Sequence, residues 1–460
     1  MFGRGKSPVF LLAMSLAWIL VSPLPAQVLL DSYTAEQLEK LGEARYESGK
    51  PDLALPLYAK ALEKDPARVP SLVAAARILE SGFQRDQAVV LFRRALAIDP
   101  KNLEALSGLS RTAPTWQERR SATQNLAAAG RGAQARLARL QLRQMEALGD
   151  RPTFETVDPA RSYSFQLEDP GRDVPPGMTV PVLTIDTPDG HKLKLLIATA
   201  IEGIWLRKSA AKALGARILF PSAYPWVAQG DLLDGDFGII DRLHLGELTL
   251  LNCPVFVRHA SRSYMYGVDG IIGAEVFKDF RVELGNSAAD LVLVPHAQED
   301  PVETSRYFLG IRRYGPFLLA PVQINPEQAS YFAVSNITSE VILQMGKLPA
   351  GVKQTGGGLT YPLTGWLCSS ARTLGVFRLK ATVGPATWKG EATSCKMPDL
   401  NRAVGFPVAG ILGYSFLSGY TLVLDYRHGR AGFLPQAARR PGLHRTPNPG
   451  ETWPTTPSGQ

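Results

Sequence analysis

The chain has 460 residues, 45% hydrophobic and 20% charged, an ordinary globular composition that supplies large apolar cores and two or three domains. Its formal net charge of +8 is dispersed among Arg4, Lys6, Arg131, Arg136, Arg139, Arg143, Arg439, Arg440 and Arg445 without interleaved aromatics, which argues for solvated helix faces and against a nucleic-acid surface. Three cysteines and six histidines form neither a CxxC nor an HExxH pattern, so no metal site and no other cofactor is expected.

In chain order, Arg4 and Lys6 precede an apolar run from Val9 to Val21 that ends in Ser22-Pro23-Leu24-Pro25-Ala26. A basic start, a short apolar stretch and a small terminal residue are the features of a secretory signal peptide. Residues 1–26 are therefore expected to be removed and the rest exported to a periplasmic or extracellular space. The apolar run is shorter than the ~20 residues a bilayer-spanning helix needs, and no membrane span is expected after cleavage. Export permits disulfides; Cys368 with Cys395 is the expected pair and Cys253 a buried free thiol.

Two stretches follow that repeat each other, "ESGKPDLALPLYAKALEKDP" (Glu47–Pro66) and "ESGFQRDQAVVLFRRALAIDP" (Glu80–Pro100). They agree at Ala54/Ala88, Leu57/Leu91, Tyr58/Phe92, Ala61/Ala95, Leu62/Leu96 and Pro66/Pro100, each pair 34 residues apart. Small residues let paired helices approach and large apolar ones fill the seam between them. This period resembles the tetratricopeptide repeat, which implies helical hairpins over residues 33–148 and a groove for a partner protein or peptide.

Residues 149–178 turn to Pro, Asp and Arg without helical periodicity and read as a linker. Short Val, Leu and Ile runs separated by Gly, Pro and Asp-Gly then predict strands, with Asp189-Gly190 as a hairpin turn. Inside this region Tyr266–Pro295 aligns without gaps, at an offset of 140, with Phe406–Pro435. Gly270/Gly410, Ile271/Ile411, Gly273/Gly413, Val282/Leu422, Leu284/Leu424 and Pro295/Pro435 correspond. Two duplicated lobes, 179–297 and 298–436, are expected, and the Pro, Thr and Gly-rich residues 437–460 are expected to be disordered.

Each lobe resembles half of a pepsin-like or retropepsin-like aspartic protease. Those families carry an apolar strand into Asp-Thr-Gly-Ala, with a later apolar-apolar-Gly crossing behind it. Here the first element is "LLIATAIEGIWL" in lobe one and "SYFAVSNITSEVIL" in lobe two, and the second is "GIIG" at Gly270–Gly273 and "GILG" at Gly410–Gly413. The fold class implied is α+β and multidomain: tetratricopeptide-like helical repeats followed by a mostly β, two-lobed aspartic-protease-like domain. Carried over by position, Ala198 stands at the first Asp site, with Thr199 at the Thr, Ala200 at the Gly and Ile201 at the Ala. Ala333 stands at the second Asp site, followed by Val334, Ser335 and Asn336. That chemistry needs two carboxylates sharing a proton over one water, and a methyl group supplies neither, so no catalytic residue is implied. Ala198, Thr199, Ala200, Ala333, Val334 and Ser335 become the expected lining of an inter-lobe cleft.

Substitute acids are few. Glu202 lies beyond the turn, Asp269 lacks a carboxylate counterpart because Ala409 takes its place in lobe two, and Asp231, Asp234 and Asp236 miss the spacing of an EF-hand calcium loop. Ser415 in "GYSFL" lacks the final Gly of a nucleophile elbow. The expected function is that of an exported non-catalytic relative of aspartic proteases, binding a peptide or protein ligand through its cleft and its helical repeats. Two alternatives are an endopeptidase with displaced acids and an envelope scaffold in which only the helical repeats bind. An apolar-filled cleft would favour the scaffold, and two carboxylates within ~3 Å of each other the enzyme.

Overall fold

The computed structural model describes residues 30–168, 181–187, 189–225, 232–259, 267–285, 290–298, 307–324, 330–338, 340–346, 348, 352–356 and 375–435. The expected signal peptide, Cys368 and the tail lie outside the described residues.

The amino-terminal part is helical and the remainder mostly β. Seven helices lie wholly among the described residues of this part: α1 (Ala35–Glu47), α2 (Pro51–Lys64), α3 (Val69–Ser81), α4 (Arg85–Ile98), α5 (Leu103–Thr112), α6 (Trp116–Ala129) and α7 (Gly132–Leu148). Thr34 and Gln37 cap α1 reciprocally, and Pro51 opens α2 where its missing N–H costs nothing. Each helix packs on its successor. The 34-residue equivalence is a packing equivalence, since Ala54, Ala61, Ala88 and Ala95 are completely buried and Tyr58 and Phe92 nearly so. A Cβ on Gly42 would press on the Tyr58 ring, so the small residue admits the large one. No helix among the described residues is long and apolar enough to cross a membrane.

The β part opens with β1 (Glu155–Thr156), β2 (Tyr163–Gln166), β3 (Val182–Asp186), β4 (Lys192–Ala198), β5 (Ile204–Arg207), α8 (Lys208–Ala213), β6 (Arg217–Pro225), β7 (Leu232–Leu245), β8 (Leu248–Arg258), β9 (Gly270–Gly273), β10 (Phe280–Gly285) and β11 (Asp290–Pro295). It continues with β12 (Phe308–Gly310), β13 (Arg312–Tyr314), β14 (Phe317–Ile324), β15 (Ser330–Val334), β16 (Val341–Gln344), β17 (Lys353–Gly356), β18 (Val376–Val383), β19 (Ala386–Cys395), α9 (Pro398–Val404), β20 (Gly410–Leu412), α10 (Tyr414–Leu417), β21 (Tyr420–Asp425) and β22 (Arg430–Pro435).

One sheet runs β3-β4-β9-β5-β8-β7-β6 and another β14-β15-β20-β16-β19-β18-β17, with β13 added at the edge of the second. The orders match strand for strand. So do the directions at the centre: β4 is parallel to β9 as β15 is to β20, β9 is antiparallel to β5 as β20 is to β16, and β5 is parallel to β8 as β16 is to β19. A third sheet, β12-β22-β21-β10-β11-β2, joins the two halves. In its β10–β21 pairing Val282 faces Leu424, Leu284 faces Leu422 and Glu283 faces Val423. At the sequence offset of 140 that register maps onto itself, so an approximate twofold axis passes through the Glu283–Val423 pair. Leu195, Ile197, Phe280, Val282, Phe332, Val334, Leu422 and Phe433 belong to one buried apolar cluster that runs through all three sheets.

The expected linker is partly structural. β1 pairs with β8, and β2 extends the joining sheet by pairing Tyr163 with Leu293. Tyr163 and Phe165 are buried while Ser164 and Gln166 are exposed, an alternation too short to distinguish from the Pro- and Arg-rich sequence around it. Cys253 is a free, buried thiol, and burial pushes its pKa up to about 12. Cys395 is disulfide-bonded.

Helices and sheets meet at several places, among them the Tyr46 hydroxyl of α1 donating to the Val404 carbonyl at 3.2 Å and its ring set edge-on to Phe406. Arg312 of β13 donates to the Ile78 carbonyl at 2.8 Å, to Ser81 Oγ at 3.1 Å and to Tyr331 Oη at 3.1 Å, and pairs with Asp52. At the other end of the helical array, Gln144 of α7 donates to Ser222 Oγ of β6 at 3.2 Å, and the Arg143 guanidinium lies 4.1 Å from the centre of the Phe220 ring.

Candidate functional site

The turns that follow β4 and β15 grip each other. Thr199 Oγ1 lies 3.1 Å from the Val334 carbonyl and accepts the Asn336 N–H at 3.2 Å. Asn336 Nδ2 donates to the Ile197 carbonyl at 2.8 Å, and its Oδ1 accepts the Thr199 N–H at 2.9 Å. Each polar side chain thus binds the carbonyl two residues before its partner and the partner's own amide. The two residues are symmetry equivalents, 137 positions apart in sequence.

This pairing corrects the sequence register. The residue facing Ala198 across the axis is Ser335, not Ala333. Ala333 lies two residues back inside β15, level with Leu319 and Ile411. The strand registers agree, because Ala198 is level with Gly273 and Val334 with Leu412, which sets Ser335 beside Gly413. A Cβ on Gly273 would strike the Ile201 carbonyl and one on Gly413 the Glu340 carbonyl, so both glycines are required for the same close crossing.

No carboxylate stands at either place. Ala198 and Ser335 are both fully buried, and Ser335 Oγ is 2.8 Å from Thr338 Oγ1. Thr199, Ala200, Ala333 and Val334 are buried as well. Ala200 leaves its own half to join a cluster with Phe317, Leu319, Ala333 and Ile342, while Ile337 joins Leu196, Ala198, Trp205 and Ile271 in the other half. Apolar side chains are thus exchanged between the two halves beside the paired turns. Asn336 opens an Asn-Ile-Thr sequon, but it is 1% exposed and both its Oδ1 and its Nδ2 are hydrogen-bonded.

The other acids have structural partners. Asp269 accepts the Lys194 N–H at 3.0 Å and pairs with Arg207, tying β4 to β5. Asp234 approaches Arg136 at 3.7 Å and Asp236 approaches His259 at 2.6 Å; Asp231 lies outside the described residues. Glu202 pairs with Arg313 at 2.8 Å. Beside it stands Glu275, two residues past Gly273, whose carboxylate accepts the Gly203 N–H. Burial, and then the Glu202 charge, push the Glu275 carboxyl up to about 7, against the pull of Arg313. Its equivalent at the offset of 140 is Ser415, whose Oγ accepts the Val341 N–H at 3.0 Å. Both side chains perform one task, holding the strand that follows the turn.

Two further features escape sequence reasoning because their parts are far apart in the chain. His296, Asp425 and His428 bring ligand atoms within 4.8 Å of one another. The Arg430 guanidinium already pairs with the buried Asp425 carboxylate, so the positive charge a metal ion would bring is in place. The other feature is a cavity of about 700 Å³ on the helical side. Its walls are Glu39, Glu43, Tyr46 and Glu47 of α1, Tyr58 of α2, Val69, Pro70, Val73, Ala74 and Arg77 of α3, and Asn102, Leu103 and Glu104 at the start of α5. Gly405, after α9, closes one side, and a Cβ there would come within 3.0 Å of the Arg77 guanidinium.

No protein-family model and no curated protein matches the chain. Among solved structures, the crystal structure of Basic 7S globulin from soybean is similar over 60% of this chain and 95% of that one, at 11% identity and a TM-score of 0.38. Proteins that far apart in sequence need share no activity.

Proposed function

We propose that this chain is an exported binding protein and not a hydrolase. Its helices are repeats of the tetratricopeptide type that take an extended polypeptide in the groove between α1, α3 and α5. Its two β halves are lobes of the aspartic-protease type that have lost their acids and serve as a rigid support. The observation that carries this reading is the burial of Ala198 and Ser335 beneath exchanged apolar side chains. General acid–base assistance contributes about 10²–10⁴ to a rate, and no group there can give it. The filled axis also favours the scaffold over a peptide-binding cleft between the lobes, which moves the binding role to the helical groove. Support comes from the matched strand orders and the self-symmetric joining sheet, both independent of any relative.

The experiment is incubation of the full chain with a random extended-peptide library from acid to neutral pH, with mass spectrometry of both captured and cleaved species. Intact peptides are expected, captured by the native chain and lost from Ala74→Trp, whose indole fills the groove. Cleavage products that disappear in Glu202→Gln or Asp269→Asn would make the protein a displaced-acid endopeptidase. Capture that survives in Ala74→Trp would remove the groove from the proposal.

A further inference from the structure

The groove has a chemical character of its own. Four glutamates and one arginine line it. Glu39 is engaged by Arg68 at 2.8 Å and Glu104 by Arg77 at 3.4 Å. Glu43 and Glu47 have no ion-pair partner among the described residues. They are four apart on α1, hence on one face, and Glu47 is the last residue of that helix, where the helix dipole adds negative potential of its own. A cation placed between them would be attracted by both carboxylates and by the helix terminus.

Tyr58 supplies a second, independent observation. It is 4% exposed, lines the same cavity, and its hydroxyl has no hydrogen-bond partner among the described residues. The hydroxyl oxygen is the part of the residue that still reaches the cavity, where a ligand acceptor would replace water. Burial first, and then the charges of Glu43 and Glu39, raise its pKa, so it keeps its proton and acts as a donor. The groove therefore offers carboxylates to a cation and a fixed O–H to an acceptor nearby. A simple polyamine satisfies only the first demand. A peptide satisfies both.

We infer that the groove recognises an extended basic polypeptide segment, with an Arg or Lys side chain held between Glu43 and Glu47 and a backbone carbonyl accepting from Tyr58 Oη. The Tyr46 ring, with Arg77 already 5.6 Å from its centre, provides an aromatic wall beside the carboxylates. This inference rests on the groove reading above and adds the charge of the partner to it.

The test uses the full chain and two short fluorescent peptides, one bearing Lys and Arg and one with Glu at the same positions, followed by anisotropy at about 0.05 and about 0.5 M salt. The basic peptide should bind at least ~10-fold more tightly than the acidic one, and the preference should shrink at high salt. Glu43→Gln with Glu47→Gln, both at exposed positions, should weaken the basic peptide ~10-fold, and Tyr58→Phe, which keeps the ring and removes only the hydroxyl, ~3–10-fold. Equal binding of the two peptides, or indifference to the glutamine pair, overturns the charge inference. If Ala74→Trp still abolishes that capture, the groove reading stands without it; if Ala74→Trp binds as the native chain does, both fall.

Discussion

Glu275 gives the β part a pH dependence whose sign is fixed by its surroundings. The carboxyl titrates near 4.5 in an unfolded chain and is pushed up to about 7 when folded. Between those values the folded protein keeps a proton that the unfolded chain releases, so stability is fully present below pH 4.5 and is lost as pH rises through about 7. At ~1.4 kcal/mol per pH unit, the gap from 4.5 to about 7 sets a ceiling of ~3.5 kcal/mol, and partial solvent access and Arg313 bring the expected loss to ~1–3 kcal/mol. Glu275→Gln keeps an acceptor for the Gly203 N–H without a charge to desolvate. Urea midpoints of the two proteins, followed by Trp fluorescence at pH 5, 6, 7 and 8, test this directly. Trp205 is a suitable reporter, being buried and bonded through Nε1 to the Glu202 carbonyl at 3.1 Å. The native chain should lose stability relative to Glu275→Gln as pH rises, and most of the loss should fall between pH 5 and 8. A difference between the two proteins that stays constant over that range would refute the reasoning, because the carboxyl would then titrate alike in folded and unfolded chains.

The grip between the two turns makes a sharper prediction about side-chain equivalence. Asn336→Ala leaves the Thr199 N–H and the Ile197 carbonyl unpaired in a buried site, at an expected cost of about 2–5 kcal/mol by chemical denaturation, whereas Asn336→Thr, able to accept one and donate to the other, should recover at least half of that; equal losses in both would mean that the hydrogen bonds are not the source of the stability. At the helix–sheet junction, Arg312→Met removes donors to Ile78, Ser81, Tyr331 and Asp52 and should destabilise by about 3–5 kcal/mol, with limited proteolysis appearing between α7 and β2. A folded variant as protease-resistant as the native chain would show that Arg312 is not needed to hold the two parts together.

The parts of the fold legible in the sequence were those written as repeats of large and small residues. The 34-residue period marks helices because Ala54 and Ala88 must be small and Tyr58 and Phe92 large for the hairpins to stack. The offset of 140 marks the joining sheet because Gly273 and Gly413 each face a carbonyl that no Cβ could approach. The joining strand β2 carried only two buried aromatics and no turn signal. Glu275 looked like any charge near a helix start; only the fold sets it against Gly203 and Glu202. The groove was hidden for a related reason, since Glu43, Tyr58, Arg77 and Gly405 share no local pattern and meet only when α1, α2, α3 and the loop after α9 are packed.

The misplacement of Ala333 has a physical cause. "SYFAV" is apolar to its end, and an apolar strand offers no internal mark of where its turn begins. The duplicated halves also differ in length before their glycines, 137 against 140 residues of offset, so the downstream alignment could not be extended upstream without a gap. Polar side chains carry the missing mark, and here they are chemically unlike. Thr199 is a hydroxyl and Asn336 an amide, yet each offers one donor and one acceptor in the same two directions, which is all the grip requires. Selection on that geometry tolerates a change of residue type. It places no demand on the chemistry of the residue one position earlier. Ala198 and Ser335 stand at that earlier position: the position needed for stability is filled by a hydrogen-bonding side chain, and its neighbour is closed by packing.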